Sequence, residues 1–276
     1  MPPGGYRLQC GRYPLETRFL ELKDITKSFG KVSALDRVNF FIKGEPEIVA
    51  LVGDNGAGKS TLIKIISGVL EPDSGEIFVK TEKVDHWSVA KARAGRIETV
   101  YQDRALVVQQ TIARNIFMGR EKTGFLGFVK GREQSIEADR LMRTIGFTSR
   151  VFSSNSVVAK LSGGERGGVA IARAMYFEAD LLILDEPTTA LSLTESEKVF
   201  DFVRKAKERG TSSIFISHNI YHAYDVAERF VILDRGRVVR EINKEQTTAE
   251  QLVRDLQEIA HSGRRPLEGV VDRGGQ

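Results

Sequence analysis

Ile48-Val49-Ala50-Leu51-Val52 runs straight into Gly53-Asp54-Asn55-Gly56-Ala57-Gly58-Lys59-Ser60-Thr61, and Leu62, Ile63, Ile65 and Ile66 follow. Five apolar residues without alternation describe a strand buried on both faces, as in the parallel centre of an α/β sheet. The apolar residues after Thr61 recur at helical spacing. Between strand and helix stand three glycines, of which Gly53 and Gly58 are separated by four residues and followed by Lys59 and Ser60, which is the P-loop pattern. Glycines let the backbone wrap a phosphate, and a helix N-terminus offers it N–H groups and a favourable dipole. Lys59 is placed to reach β- and γ-phosphates, and the Ser60 hydroxyl to ligate Mg2+. Gly53 to Thr61 is therefore the expected nucleotide cradle. A bare glycine turn would suit the flanks alone, but not the whole motif.

Further short apolar runs alternate with helical patterns on both sides of this stretch. Strands are expected at Phe19–Leu22, Val38–Ile42, Ile77–Lys80, Ile97–Tyr101, Leu181–Leu184, Ser213–Ser217 and Phe230–Leu233. From about Thr194 to Arg209, Val199, Phe202, Val203 and Ala206 make one apolar stripe, with Glu195 and Glu197 early and Lys205, Lys207 and Arg209 late, as a helix dipole favours. Residues from about 103 to 176 carry little strand signal and read as a mostly helical subdomain. The segment from about Thr247 to Ile259 reads as one helix. Residues 1–17 and about 262–276 read as loose tails rich in Gly, Pro and Arg.

Composition narrows the function. The 276 residues are 41% hydrophobic and 28% charged, an ordinary globular balance. The formal charge of +4 comes without a dense basic block, so nucleic acid is not an expected partner. A single cysteine, Cys10, leaves no internal disulfide and fits a reducing compartment. No apolar run reaches the length of a membrane span, so a membrane role would come through a partner.

Leu181-Leu182-Ile183-Leu184-Asp185-Glu186-Pro187 sets two carboxylates just past a second buried strand. Ligands of open α/β sheets bind beyond the carboxyl ends of such strands. Asp185 suits the Mg2+ hydration shell and Glu186 the attacking water, while Pro187 turns the chain out of the strand. A solvated Asp-Glu-Pro turn would look the same without the upstream cradle. Earlier, Leu161-Ser162-Gly163-Gly164-Glu165-Arg166 reads as a glycine turn opening a second helix.

With these motifs in this order, the chain resembles an ABC-transporter nucleotide-binding subunit from about Phe19 to Val239. The resemblance implies a P-loop NTPase (RecA-like) parallel-sheet core, an antiparallel β edge and a helical subdomain, in a domain spanning 18–245. It implies ATP and Mg2+ as ligands. By position, Phe29 resembles the residue that stacks on adenine, and Gln102 the glutamine that touches Mg2+ and senses the membrane partner. Ser162, Gly163, Gly164 and Glu165 resemble the signature that contacts ATP held by the opposite subunit. His218 resembles the switch histidine near the γ-phosphate. Read without the resemblance, Phe29 suits a core aromatic and His218 a hydrogen-bonded strand-end histidine. Two departures stand out: Glu165 replaces the usual Gln and precedes Gly167-Gly168, and Ser192 stands where many members carry Asp. A carboxylate beside ATP phosphates would repel them unless Arg166 or solvent screened it.

Ile97-Glu98-Thr99-Val100-Tyr101-Gln102, the run from Asn115 to Glu121, and Ile216-Ser217-His218-Asn219 are similar to bacterial importers of simple sugars, in particular the single-domain, fructose-type members. That implies permease subunits as partners, a second ATP-binding subunit (a homodimer), a periplasmic or extracellular sugar-binding protein, and a peripheral place on the cytoplasmic membrane face. The rival readings are a nucleotide-binding regulatory half with weakened hydrolysis, and a transporter for a non-sugar solute. A ribosome-acting relative would carry two motif sets, a DNA-repair relative a long coiled coil before Ser162, and a P-loop kinase no signature turn. Finally, Gly124-Phe125-Leu126-Gly127-Phe128-Val129, beside Lys122, Lys130 and Arg132, reads equally as part of a hydrophobic groove for the permease's cytoplasmic helix or as a core segment with a flexible glycine break.

Overall fold

The computed structural model describes residues 18–101, 106–145, 153–189 and 191–262. Gln102, the expected tail at 1–17 and the expected tail at about 262–276, apart from Ser262, lie outside the described residues.

Strand β1 (Arg18–Phe29) pairs antiparallel with β2 (Val32–Lys43). Leu20, Leu22 and Ile25 of β1 are buried, and the step of three between the last two breaks the period of two. The register shifts there, and Asp24 takes φ 50°, so a bulge lets one strand continue where the alternation ends. This is why the sequence predicts only Phe19–Leu22. After β3 (Ile48–Val52) and α1 (Lys59–Ile66), β4 (Ser74–Val79) returns beside β1, and β5 (Glu82–Lys83) extends that sheet. Trp87 is buried and donates its indole N–H to Ile65 O at 2.7 Å, tying the next segment to α1. Helix α2 (Val89–Ala94) then leads to β6 (Ile97–Val100).

The helical region follows as α3 (Ile112–Phe117), α4 (Gly131–Thr144) and α5 (Gly163–Tyr176). Asn115 is fully buried: it accepts from Val107 N–H at 2.8 Å and donates to Val107 O and Thr111 O, both at 3.0 Å, so its amide closes the loop entering α3. Phe117 packs edge-on against Tyr176, 4.5 Å between centroids, joining α3 to α5.

The core resumes with β7 (Leu181–Asp185), α6 (Leu193–Glu208), β8 (Ser212–Ile216), α7 (Ile220–Val226) and β9 (Arg229–Asp234). Among the described residues, β9, β3, β8, β7 and β6 lie side by side and parallel, and β10 (Arg237–Asn243) adds an antiparallel edge beside β9. All five residues of β3 and of β8 are buried, as the continuous apolar runs predict. The sequence predicts no strand at β10: only Ile242 is buried there, so it carries too weak an apolar signal. Helix α8 (Ala249–Ser262) completes the described chain. In register, Leu51 and Asp185 both lie opposite Ile216. The ends of β3, β7 and β8 therefore form one edge, from which the cradle, the acidic pair and His218 all emerge.

Candidate functional site

The α1 N-terminus is built by backbone. Its preceding residue, Gly58, has φ 106°, and no side chain caps the helix. A Cβ on Gly58 would stand 2.6 Å from Ala34 O, so only glycine fits. Asp54, Asn55, Gly56 and Ser60 are exposed, Ala57 is buried, and Thr61 is half-buried. The Lys59 ammonium donates to Gly53 O at 2.7 Å and Asp54 O at 2.9 Å. Its own loop thus holds the lysine across the mouth of the cradle. Burial pulls the Lys59 pKa below the ordinary lysine value, and the carboxylates of Glu186, Asp54 and Asp185 oppose that pull. The P-loop and the acidic pair therefore share one electrostatic site.

Glu186 follows β7 in the left-handed region, φ 51°. For a non-glycine residue that conformation is strained, and strain of this kind persists only where surrounding bonds hold it. Here Glu186 N–H donates to Ile216 O at 3.0 Å, its Oε1 accepts from His218 N–H at 2.9 Å, and Thr189 Oγ1 donates to Oε2 at 3.2 Å. The His218 Nδ1 lies 2.8 Å from Oε2. The carboxylate is largely buried (12% exposed) while the imidazole is 67% exposed, so the histidine faces solvent and the glutamate faces the protein. Thr188, also buried, meets His222 Nδ1 at 3.1 Å, fixing this loop to α7. Sequence reasoning passed over Thr188 and Thr189; their place directly after Pro187 is the only signal that could have marked them.

The signature turn is organised by a capping box. Ser162 Oγ accepts from Glu165 N–H at 3.2 Å, and Glu165 Oε2 accepts from Ser162 N–H at 2.8 Å. Glu165 is therefore bent back on its own helix, while Arg166 donates to Ala159 O at 2.9 Å. Gly167 and Gly168 lie on the buried face of α5. Ser192 does the same for α6, with Glu195 as its partner. The two boxes touch: a Cβ on Gly164 would land 1.7 Å from Glu195 Oε1.

Phe29 is 51% exposed at the end of β1, which overturns the core reading of that residue. Tyr101 donates to Ser67 Oγ at 2.9 Å, anchoring the segment that leads to Gln102 against the end of α1. Beside it, a cavity of about 210 Å3 opens between β6 and α5, lined by Glu98, Tyr101, Arg173 and Phe177 among others. Burial raises the Glu98 pKa, and Arg120, paired with it at 2.6 Å, opposes the shift.

An uncapped P-loop helix, an acidic pair and a histidine on one edge of a parallel sheet define a P-loop nucleotide-binding protein. The ABC transporter family profile matches residues 35–189, more than half of the chain, and the chain belongs to that family as an ATP-binding cassette. It is 44% identical over 241 residues to the xylose/arabinose import ATP-binding protein XylG of Sulfolobus acidocaldarius, covering 87% of this chain and 94% of that one. Against the fructose import ATP-binding protein FrcA of Rhizobium meliloti it is 39% identical, covering 85% and 92%. A dimeric ATP-binding cassette solved with ADP and phosphate in a post-hydrolysis state superposes with TM-score 0.71 at 29% identity, covering 82% of this chain and 98% of that one.

Proposed function

We propose that this chain hydrolyses ATP on the cytoplasmic face of a membrane and powers a permease that imports a monosaccharide. The observation that carries hydrolysis is Glu186, strained at the strand end and held by His218 N–H and Thr189 beside the Lys59 ammonium. The likeness to pentose and fructose import subunits over almost their whole length supports the solute class.

Two copies close head to tail, each offering its cradle to one ATP and its Ser162-Gly163-Gly164 turn to the other. Phe29 stacks on adenine. Lys59 exchanges the carbonyls of Gly53 and Asp54 for β- and γ-phosphate oxygens. Glu186 orients and polarises the attacking water, and His218 moves from that carboxylate to the γ-phosphate. Ser60 and Asp185, with Gln102, would hold Mg2+. A hydroxyl and a carboxylate suit a hard cation that keeps water and phosphate as its other ligands, and among the described residues no larger carboxylate or histidine cluster competes. The ion supplies charge neutralisation at the phosphates. The cavity beside Tyr101 receives a cytoplasmic segment of the permease, and a sugar-binding protein delivers solute on the far side. Among the described residues no helix is long and apolar enough to cross a membrane, which suits a peripheral subunit. Glu165 and Ser192 both take part in caps, so neither has to signal a regulatory half with weakened hydrolysis.

The test is ATPase activity of the purified chain against its concentration, beside Glu186→Gln. We expect a rate per subunit that rises with concentration. The variant should bind ATP, stay paired and lose at least about 100-fold in turnover. Normal hydrolysis by Glu186→Gln removes Glu186 from this role.

A further inference from the structure

The segment between α3 and α4 resolves the choice left open by its sequence. It is not core. Phe125, Leu126, Phe128 and Val129 are 91%, 78%, 73% and 56% exposed. The exposure is not that of a loose coil. Lys130 N–H donates to Lys122 O and Gly124 N–H to Phe128 O, both at 2.8 Å, with Thr123 and Val129 bridged antiparallel. The result is a short two-stranded tongue with a turn at its tip, where Leu126 takes φ 68°. The bonds hold the backbone so that the apolar side chains project.

We propose that this tongue inserts its apolar tip into the headgroup region of an anionic bilayer. Soluble surfaces rarely present neighbouring large apolar side chains without a partner. At the turn Phe125 and Leu126 are 91% and 78% exposed, and a fluid acyl boundary can close around side chains presented in that way. Its surroundings carry the sign that an anionic leaflet selects. From Lys122 to Arg132 the chain holds three cations and no carboxylate. Lys130 and Arg132 are exposed; Glu133, one step beyond, pairs with Lys130 at 2.9 Å. Lys122 lies at the base, its ammonium 5.7 Å from the Tyr176 ring centroid and 5.9 Å from that of Phe117.

The base also fixes where the tongue stands. Arg120 stacks at 4.1 Å on Phe177, a wall of the cavity between β6 and α5. The tongue therefore rises next to the surface assigned above to the permease, on the side of the chain that faces the membrane. That orientation rests on the proposed function; the chemistry of the tip does not. The tongue adds a direct lipid contact to whatever hold the permease supplies.

The experiment uses the whole chain without permease: co-sedimentation with vesicles of phosphatidylcholine containing about a third phosphatidylglycerol, and with phosphatidylcholine alone. We expect binding to the anionic vesicles only. Phe125→Ser and Phe128→Ser should each weaken it about tenfold, with ATPase activity kept as evidence of folding. Should either serine variant not fold, Lys130→Gln and Arg132→Gln test the collar, each weakening binding about fivefold. Wild-type protein that ignores anionic vesicles overturns the proposal, as do serine variants that bind as tightly as wild type. So does a wild-type chain that self-associates through the tip in vesicle-free buffer, which would make a second copy the occupant. Because no permease is present, vesicle binding can fail while ATP hydrolysis and transport stand.

Discussion

Two helices in this chain begin at glycine turns expected to meet ATP, and they begin in opposite ways. The first, α1, starts at left-handed Gly58 with no side-chain cap. The second, α5, starts at Ser162 and carries its own anion: the Glu165 carboxylate already accepts the Ser162 N–H at 2.8 Å. Both N-termini attract negative charge through the same dipole. One is left uncapped by any side chain, and the other is filled by its own carboxylate. If both turns meet ATP as proposed, the uncapped one can take phosphate as it stands, whereas the filled one first has to release the Ser162 N–H. The contrast gives each turn a different sensitivity to substitution.

The largest effect belongs to the uncapped turn. In Gly58→Ala the new Cβ meets Ala34 O at 2.6 Å, a backbone atom of β2 that cannot swing aside, while φ 106° strains any side chain. The cradle has to deform. We expect ATP affinity of the isolated chain, measured by titration with a fluorescent analogue, to fall at least about 100-fold, near 2.7 kcal/mol. Affinity within about threefold of wild type would show that the cradle is softer than its contacts imply.

Gly164→Ala offers the matching insult to the filled turn, with a smaller result. Its Cβ lands on Glu195 Oε1, the far end of a flexible side chain. The carboxylate can rotate away, leaving the Ser192 N–H that it accepts at 2.9 Å, for a loss of about 1 kcal/mol. ATP binding by the monomer should not change. Turnover at dimer-forming concentration should fall about tenfold, because the signature turn and the Ser192 loop are displaced together. Adding Glu195→Ala should restore part of that rate, the non-additivity expected of residues in contact. Two losses that simply add would separate the turns.

How legible this was depended on where each signal lay. The cradle and the Asp185-Glu186 pair are written in residue type and order, since phosphate chemistry needs those groups at those spacings. The buried strands are legible because both faces of β3 and β8 demand apolar residues. Long β1 was not, because the bulge at Asp24 hides its alternation, and β10 was not, because one side of it faces water. Both capping boxes are present as Ser-x-x-Glu, Ser162 with Glu165 and Ser192 with Glu195. Against a family pattern they read only as departures; local helix chemistry gives them a purpose. The contact of Gly164 with Glu195 joins residues 31 positions apart and needs the folded chain.

The smallest effect tests the comparison most directly. Glu165→Gln keeps an oxygen able to accept the Ser162 N–H, so the box survives, but the charge is gone. The neighbouring Arg166 guanidinium donates to Ala159 O at 2.9 Å. Two consequences of opposite sign follow. The chain alone loses an anion at a helix N-terminus and should unfold more easily by about 0.3–1 kcal/mol. ATP-driven pairing, which brings a triphosphate to the same turn, should tighten about two- to fivefold, more at low salt than at high. Sedimentation equilibrium in a Glu186→Gln background, where hydrolysis cannot drain the dimer, reads the second effect, and thermal unfolding reads the first. If pairing weakens along with stability, the carboxylate helps receive ATP rather than holding its place, and the two turns differ in capping alone.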